Sequence, residues 1–144
     1  MKILISKCLL GYNCKYNGGN NYNEKVIEIS KNNECLLICP EELGGLQTPR
    51  FPSEIKGDKV ISKTGVDVTD NFICGAKIAL KMAKDNNVKI AILKESSPSC
   101  GVSSIYDGSF SNCKIKGMGI TARMLKNEGI KLYSEKDDLD EINM

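Results

Sequence analysis

The stretch Lys89-Ile90-Ala91-Ile92-Leu93-Lys94-Glu95-Ser96-Ser97-Pro98-Ser99-Cys100-Gly101 passes from an apolar run of strand length into a polar, turn-forming loop that carries a cysteine. It follows a helical pattern from about Val68 to Asn86. There Phe72, Ile73, Ala76, Ala79, Leu80 and Ala83 share one stripe, and Asp67 or Thr69 suits the N-cap. The same order recurs along the chain. Apolar runs at Lys2 to Ser6, Cys35 to Ile38 and Ile130 to Tyr133 alternate with weaker helical patterns at about Asn23 to Lys31 and Met118 to Glu128, the latter closed by Gly129. Such alternation specifies βαβ units and a parallel sheet. The expected class is α/β: one three-layer, Rossmann-like domain over residues 1–144 with a mostly parallel four-stranded central sheet, order 2-1-3-4. Between the second and third strands lies an irregular segment with Gly44, Gly45, Pro49, Pro52 and Gly57, then a short strand pattern at Lys59 to Ser62. Long irregular segments of this kind are where function concentrates.

Composition narrows the chemistry. The chain has 144 residues, 20 basic against 18 acidic, with seven cysteines and neither histidine nor tryptophan. At this length folding buries about two thirds of the unfolded surface, so a core forms without disulfide staples. The charges are scattered, which gives no footprint for membrane lipid or for specific nucleic acid. The run Ile3-Leu4-Ile5 before Lys7 is too short for a secretion signal or a spanning helix, so a cytoplasmic location is expected. Thiols stay reduced there, and an odd count of seven fits a disulfide framework poorly. Metal binding or thiol chemistry becomes the leading reading. Without histidine, any general base must be Asp, Glu, Lys, Tyr or a thiolate.

Three cysteines stand out by position. Cys8 lies just beyond the first strand, Cys39 ends the second, and Cys100 sits in the loop after the third. The carboxyl ends of parallel strands share one edge, and ligands bind there where the strand order reverses. The others read as structural or peripheral: Cys35 at the far end of strand two as a buried thiol, Cys74 as a core or boundary residue of the long helix, and Cys113 near a hairpin tip. Cys14, six residues from Cys8, fits a fourth ligand, a spectator or a resolving thiol. Three thiolates with no fourth certain ligand suit zinc with one open position or a cubane iron-sulfur cluster with one uncapped iron. No pair has the C-x2-C spacing of structural zinc.

Several blocks carry a family likeness. Cys8-Leu9-Leu10-Gly11, Cys39-Pro40-Glu41 with Gly44-Gly45-Leu46, Thr48-Pro49-Arg50, Val66-Asp67-Val68-Thr69, Ser97-Pro98-Ser99-Cys100-Gly101, Ile105-Tyr106-Asp107-Gly108 and Gly117 to Arg123 occur in order over nearly the whole chain. They resemble the domain of unknown function 523 family, which includes the thiouracil desulfurases. The resemblance implies a [4Fe-4S] cluster held by Cys8, Cys39 and Cys100, with one iron free of protein ligands. It implies non-redox desulfuration of a thiolated pyrimidine, a 2-thiouracil-like nucleobase, with Glu41 and Ser97 as the supporting catalytic residues. Glu41 beside Glu42 is selected by the motif. Arg50 and Lys94 read as ion-pair partners outside the catalytic set. Many relatives carry Arg-Tyr-Asp-Gly where this chain has Lys15-Tyr16-Asn17-Gly18, which replaces a forked cation by a point charge and bears on substrate preference.

Two other classes compete. A thiol-based phosphatase or arsenate reductase needs an arginine six residues after Cys8, where this chain has Cys14, and a helix N-terminus close behind. A non-catalytic cluster-bearing or zinc-bearing sensor differs from an enzyme in whether a metal position accepts an outside ligand. As partners, a small thiolated nucleobase is expected, and a homodimer is left open.

Overall fold

The computed structural model describes residues 2–140 and Ile142. In chain order the elements are β1 (Lys2–Ser6), a 3-10 turn (Lys7–Leu10), α1 (Glu24–Asn32), β2 (Glu34–Ile38), α2 (Pro40–Leu43), β3 (Ser53–Lys56) and β4 (Lys59–Ser62). They continue with α3 (Thr69–Asp85), β5 (Ile90–Leu93), β6 (Ser104–Tyr106), β7 (Lys114–Lys116), α4 (Ile120–Asn127) and β8 (Lys131–Ser134). Four strands form the central sheet in the order β2-β1-β5-β8, and all three pairings are parallel. Counted along this sheet, the order is the expected 2-1-3-4, and each strand begins and ends within a residue of its apolar run.

Period-two alternation explains why the sheet is covered on both sides. Leu4, Ala91 and Leu93 face one way and pack with Ala79 and Ala83 of α3 and Ala122 and Leu125 of α4. Ile3, Ile5 and Ile92 face the other way and pack with Val26 and Ile29 of α1 and with Leu139. Helix, sheet and helix make three layers. A third apolar cluster, Ile55, Val60, Phe72 and Ile105, seats the two antiparallel hairpins, β3-β4 and β6-β7, against the start of α3. The β3-β4 hairpin contains the strand expected at Lys59 to Ser62.

Close packing fixes the loop that carries Cys39. Short α2 lies on α3 with almost no space between backbones. A Cβ on Gly75 would stand 1.8 Å from the Pro40 carbonyl oxygen, and one on Gly44 would stand 1.9 Å from the Asn71 carbonyl oxygen. Asn71 Nδ2 then donates to the Gly44 carbonyl at 2.9 Å. Gly75→Ala therefore forces the helices apart, an overpacking cost of about 2–3 kcal/mol. A thermal melt should place the variant several degrees below the wild type, and an unchanged midpoint would contradict this packing.

Some local expectations differ. Neither Asp67 nor Thr69 is the N-cap of α3, which is Val68. Asp67 Oδ1 instead accepts from Thr69 N and Oγ1, and Thr69 Oγ1 accepts from Val60 N at 2.9 Å. The two side chains knit the hairpin to the helix rather than closing the helix end. Cys74 and Cys113 are exposed and Cys35 is half-buried, so the long helix turns Cys74 outward from its stripe. Among the described residues, no helix is long and apolar enough to cross a membrane.

Candidate active site

Register places the three strand ends together. Ser6 pairs with Ile38, and Ile5 with Ile92, so the segments leaving β1, β2 and β5 emerge at one edge. There β1 has a partner on either side, which is the reversal point where open α/β sheets hold ligands. A cavity of about 500 Å³ opens at this edge, lined by Cys8, Cys14, Cys39, Cys100, Glu41 and Ser97 among others. Every residue singled out for the site is brought to this one cavity.

Each cysteine is held by a different local device. Cys8 lies in the 3-10 turn after β1, and Asn21 Nδ2 donates to its Sγ at 3.4 Å. Cys39 caps α2, with Pro40 in the first turn. Cys100 is buried, 5% exposed, in a loop tied to α4: Ile120 N donates to Pro98 O and Thr121 N to Ser99 O, both at 2.9 Å. The hydroxyls of Ser99 and Thr121 also bond, at 2.8 Å. Ser97 Oγ accepts from Ser99 N and Cys100 N, each at 3.1 Å. Its oxygen shapes the turn that presents Cys100, and the residue lines the cavity.

Glu95 anchors the same loop. Its Oε1 accepts from the amides of Ser96, Val102, Ser103 and Ser104 at 2.9–3.1 Å, and Oε2 accepts from Ser103 Oγ at 2.8 Å. Burial opposes its charge, but the amides of Ser103 and Ser104 and the Ser103 hydroxyl outweigh it and hold the carboxyl down to about 2. A carboxyl depressed in the fold contributes stability that is complete above its ordinary value near 4.5 and fades as pH falls toward 2. Hydrogen bonds to a charged group are worth about 1.5–3 kcal/mol each. Glu95→Gln should therefore lower the urea midpoint at neutral pH by an amount equivalent to about 2 kcal/mol or more. The gap between variant and wild type should narrow below about pH 4, and a gap constant with pH would exclude the charge as its cause.

The two adjacent carboxylates have different partners. Glu41 is paired with Arg50, Nε to Oε1 at 3.0 Å, with both side chains largely buried. Arg50 also donates to the Cys14 carbonyl at 2.9 Å, to Thr48 Oγ1 at 2.8 Å and to the Gln47 carbonyl at 3.2 Å. One guanidinium thus joins the Cys14 loop to the Cys39 loop. Glu42 points elsewhere, to Lys7 at 3.2 Å and to Thr48 Oγ1 at 2.5 Å. Burial pushes the Glu41 carboxyl up while Arg50 opposes that rise. Lys94 pairs with Glu135 at 3.1 Å, so both cations are in ion pairs as expected.

The thiols are electrostatically unequal. A hydrogen bond from Cys14 is the largest influence bringing Cys8 down to about 7, with Asn21 and Lys94 assisting against burial. The same thiol lowers Cys39. Cys14 is itself raised, most by its interaction with Cys39, then by Cys8 and by burial. Burial pushes Cys100 up to about 12, partly offset by a hydrogen bond from Ser6.

This donor set fits an iron-sulfur cluster. Three soft sulfurs from separate loops, those of Cys8, Cys39 and Cys100, line one cavity. Among the described residues, no three Cys, Asp or Glu groups converge tightly enough to hold a single ion. Three thiolates from separate loops, with no C-x2-C pair among them, suit a multi-metal core. The phosphatase alternative loses its cradle, since the first helix after Cys8 starts only at Glu24. Residue-by-residue reasoning missed Asn21 and the cavity wall supplied by Tyr106 and Phe110 of the β6-β7 hairpin. Their contacts span the fold and leave no periodic mark in sequence.

Comparison with known proteins gives the same direction. The sequence profile of the 2-thiouracil desulfurase family matches residues 3–137. The chain is 42% identical over 145 aligned positions to the uncharacterized protein YbbK of Bacillus subtilis (strain 168), covering 94% of this chain and 96% of that one. Among solved structures it is similar to the [4Fe-4S]-dependent thiouracil desulfidase TudS, with 38% identity and a TM-score of 0.92 over 99% of this chain and 95% of that one.

Proposed function

The chain belongs to the 2-thiouracil desulfurase family, and from that premise we propose that it is a [4Fe-4S]-dependent enzyme that exchanges the sulfur of a thiolated pyrimidine for oxygen. The observation that carries this reading is the meeting of Cys8, Cys39, Cys100 and Glu41 at one cavity. The overall reaction, thiocarbonyl plus water to carbonyl plus hydrogen sulfide, moves no net electrons. When bound through Cys8, Cys39 and Cys100, the cluster supplies a soft Lewis acid with one coordination position free for sulfur.

The chain's own residues do the rest. Arg50 occupies Oε1 of Glu41, which leaves Oε2 to accept a proton from water as that water adds to the thiocarbonyl carbon. The guanidinium holds the carboxylate in one orientation, so the water is presented in a fixed direction. Ser97, already fixed by two amides, donates its hydroxyl proton to a substrate heteroatom or to the water. Apolar and aromatic wall groups limit bulk water around the reacting carbon. One domain over residues 1–144 suffices, since every group comes from loops at one sheet edge. The cytoplasm, where thiols stay reduced, is the compartment this chemistry requires.

The direct test is sulfide release by anaerobically reconstituted protein from 2-thiouracil and other thiolated nucleobases. Sulfide and uracil in equal amounts are expected from 2-thiouracil or a close analogue. A cluster-loaded protein that releases sulfide from none of them would overturn the catalytic reading and favour the sensor.

A further inference from the structure

The cavity contains a fourth thiol that the proposed reaction does not use. Cys14 is 4% exposed and lies in the loop between the 3-10 turn and α1. Cys8, Cys14 and Cys39 line the same cavity, Cys39 Sγ is 3.7 Å from the Cys14 carbonyl oxygen, and the Cys14 thiol acts electrostatically on both of the other two. The loop is pinned there by Arg50 on the Cys14 carbonyl and by Cys14 N on Tyr12 O, both at 2.9 Å. Cys35 and Cys113, by contrast, direct their sulfurs to nearby backbone carbonyls. Cys8 and Cys39 are half-buried at the cavity wall, and Cys14, which lines the same cavity, is buried.

Resting on the assignment of Cys8 and Cys39 as cluster ligands, we propose that Cys14 is a resolving thiol. When the cluster is lost to an oxidant, it forms a reversible disulfide with Cys8 or Cys39 and preserves that ligand for reassembly. The oxidant is a peroxide. The Cys8 or Cys39 thiolate attacks one peroxide oxygen, so that an S–O bond forms, the O–O bond breaks and hydroxide leaves. The sulfur is oxidised by two electrons to sulfenic acid and the peroxide is reduced. Cys14 sulfur then attacks the sulfenic sulfur, an S–S bond forms, the S–O bond breaks, and the departing hydroxide takes the Cys14 proton to become water. Two thiols and hydrogen peroxide become one disulfide and two waters. Closing the disulfide brings the two sulfurs to about 2.05 Å. Without a resolving partner the sulfenic acid proceeds to sulfinic and sulfonic acids, and the ligand is lost irreversibly.

The test uses full-length apoprotein prepared without oxygen, treated with one equivalent of hydrogen peroxide, alkylated and mapped as peptides. The expected product links Cys14 to Cys8 or Cys39, is about 2 Da lighter, and after dithiothreitol takes up as much iron as untreated protein. Cys14→Ser should instead carry sulfinic or sulfonic acid at Cys8 or Cys39 and recover several-fold less iron. A Cys8–Cys39 disulfide, a reduced Cys14 in the treated wild type, or full iron recovery by Cys14→Ser would each overturn the proposal. The wild-type map needs no variant to fold. It is also independent of turnover: a Cys14 disulfide in protein that takes up no cluster would sink the desulfidase reading and leave the thiol pairing standing.

Discussion

Glu41→Gln is expected to remain brown and to hold the wild-type amount of iron, yet to release sulfide from 2-thiouracil at least about 100-fold more slowly, since positioned acid-base groups contribute about 10²–10⁴ in rate. The amide keeps the size of the carboxylate and still offers Arg50 an oxygen acceptor in place of the 3.0 Å ion pair, so the loops should stay joined. What it loses is the basic oxygen for water. Glu42→Gln is the control. Its carboxylate is engaged by Lys7 and Thr48, not by Arg50, and its replacement should leave turnover within about threefold, as expected for a partly exposed ion pair worth at most about 1 kcal/mol. Anaerobic sulfide release, normalised to iron content, separates the two. Equal losses for both variants would remove Glu41 from its proposed role.

The second large effect concerns the ligands. Cys8→Ala, Cys39→Ala and Cys100→Ala should each abolish cluster retention and with it all sulfide release. Cys35→Ala, Cys74→Ala and Cys113→Ala should retain both. The reason is positional: the first three line the cavity at the sheet edge, whereas Cys74 and Cys113 are exposed elsewhere and Cys35 bonds to carbonyls at the start of β2. Iron and acid-labile sulfide measured on each variant decide the matter. Loss of iron in the second group with retention in the first would reverse the ligand assignment.

How much of this could be read from residues alone follows from the range of the interactions. The strands were legible because three of their four apolar runs end in a cysteine loop or a capped turn, and period-two burial is a local pattern. Strand order was legible only as a condition: with the order 2-1-3-4, Cys8 falls between Cys39 and Cys100 where the order reverses. Arg50 was recognisable as an ion-pair partner, but its reach across the Cys14, Gln47 and Thr48 loops was not, because hydrogen bonds spanning 36 residues have no sequence period. Asn21 was invisible for the same reason. Cys74 was misjudged because it adjoins the apolar stripe in sequence, and a rotation of one position around the helix is enough to expose it. The close approach of α2 and α3 is marked by Gly44 and Gly75, yet only coordinates reveal that each meets a backbone carbonyl.

The central claim is that Cys8, Cys39 and Cys100 grip a four-iron core and leave one corner free for a substrate sulfur. Metal and sulfide analysis of the wild-type protein, purified without oxygen, with Mössbauer spectra taken before and after 2-thiouracil is added, addresses it most directly. About four irons and four inorganic sulfides per chain are predicted, with the signal of one iron changing when the thiolated base is present. A single zinc per chain, or four irons that all remain unchanged by the base, would contradict it.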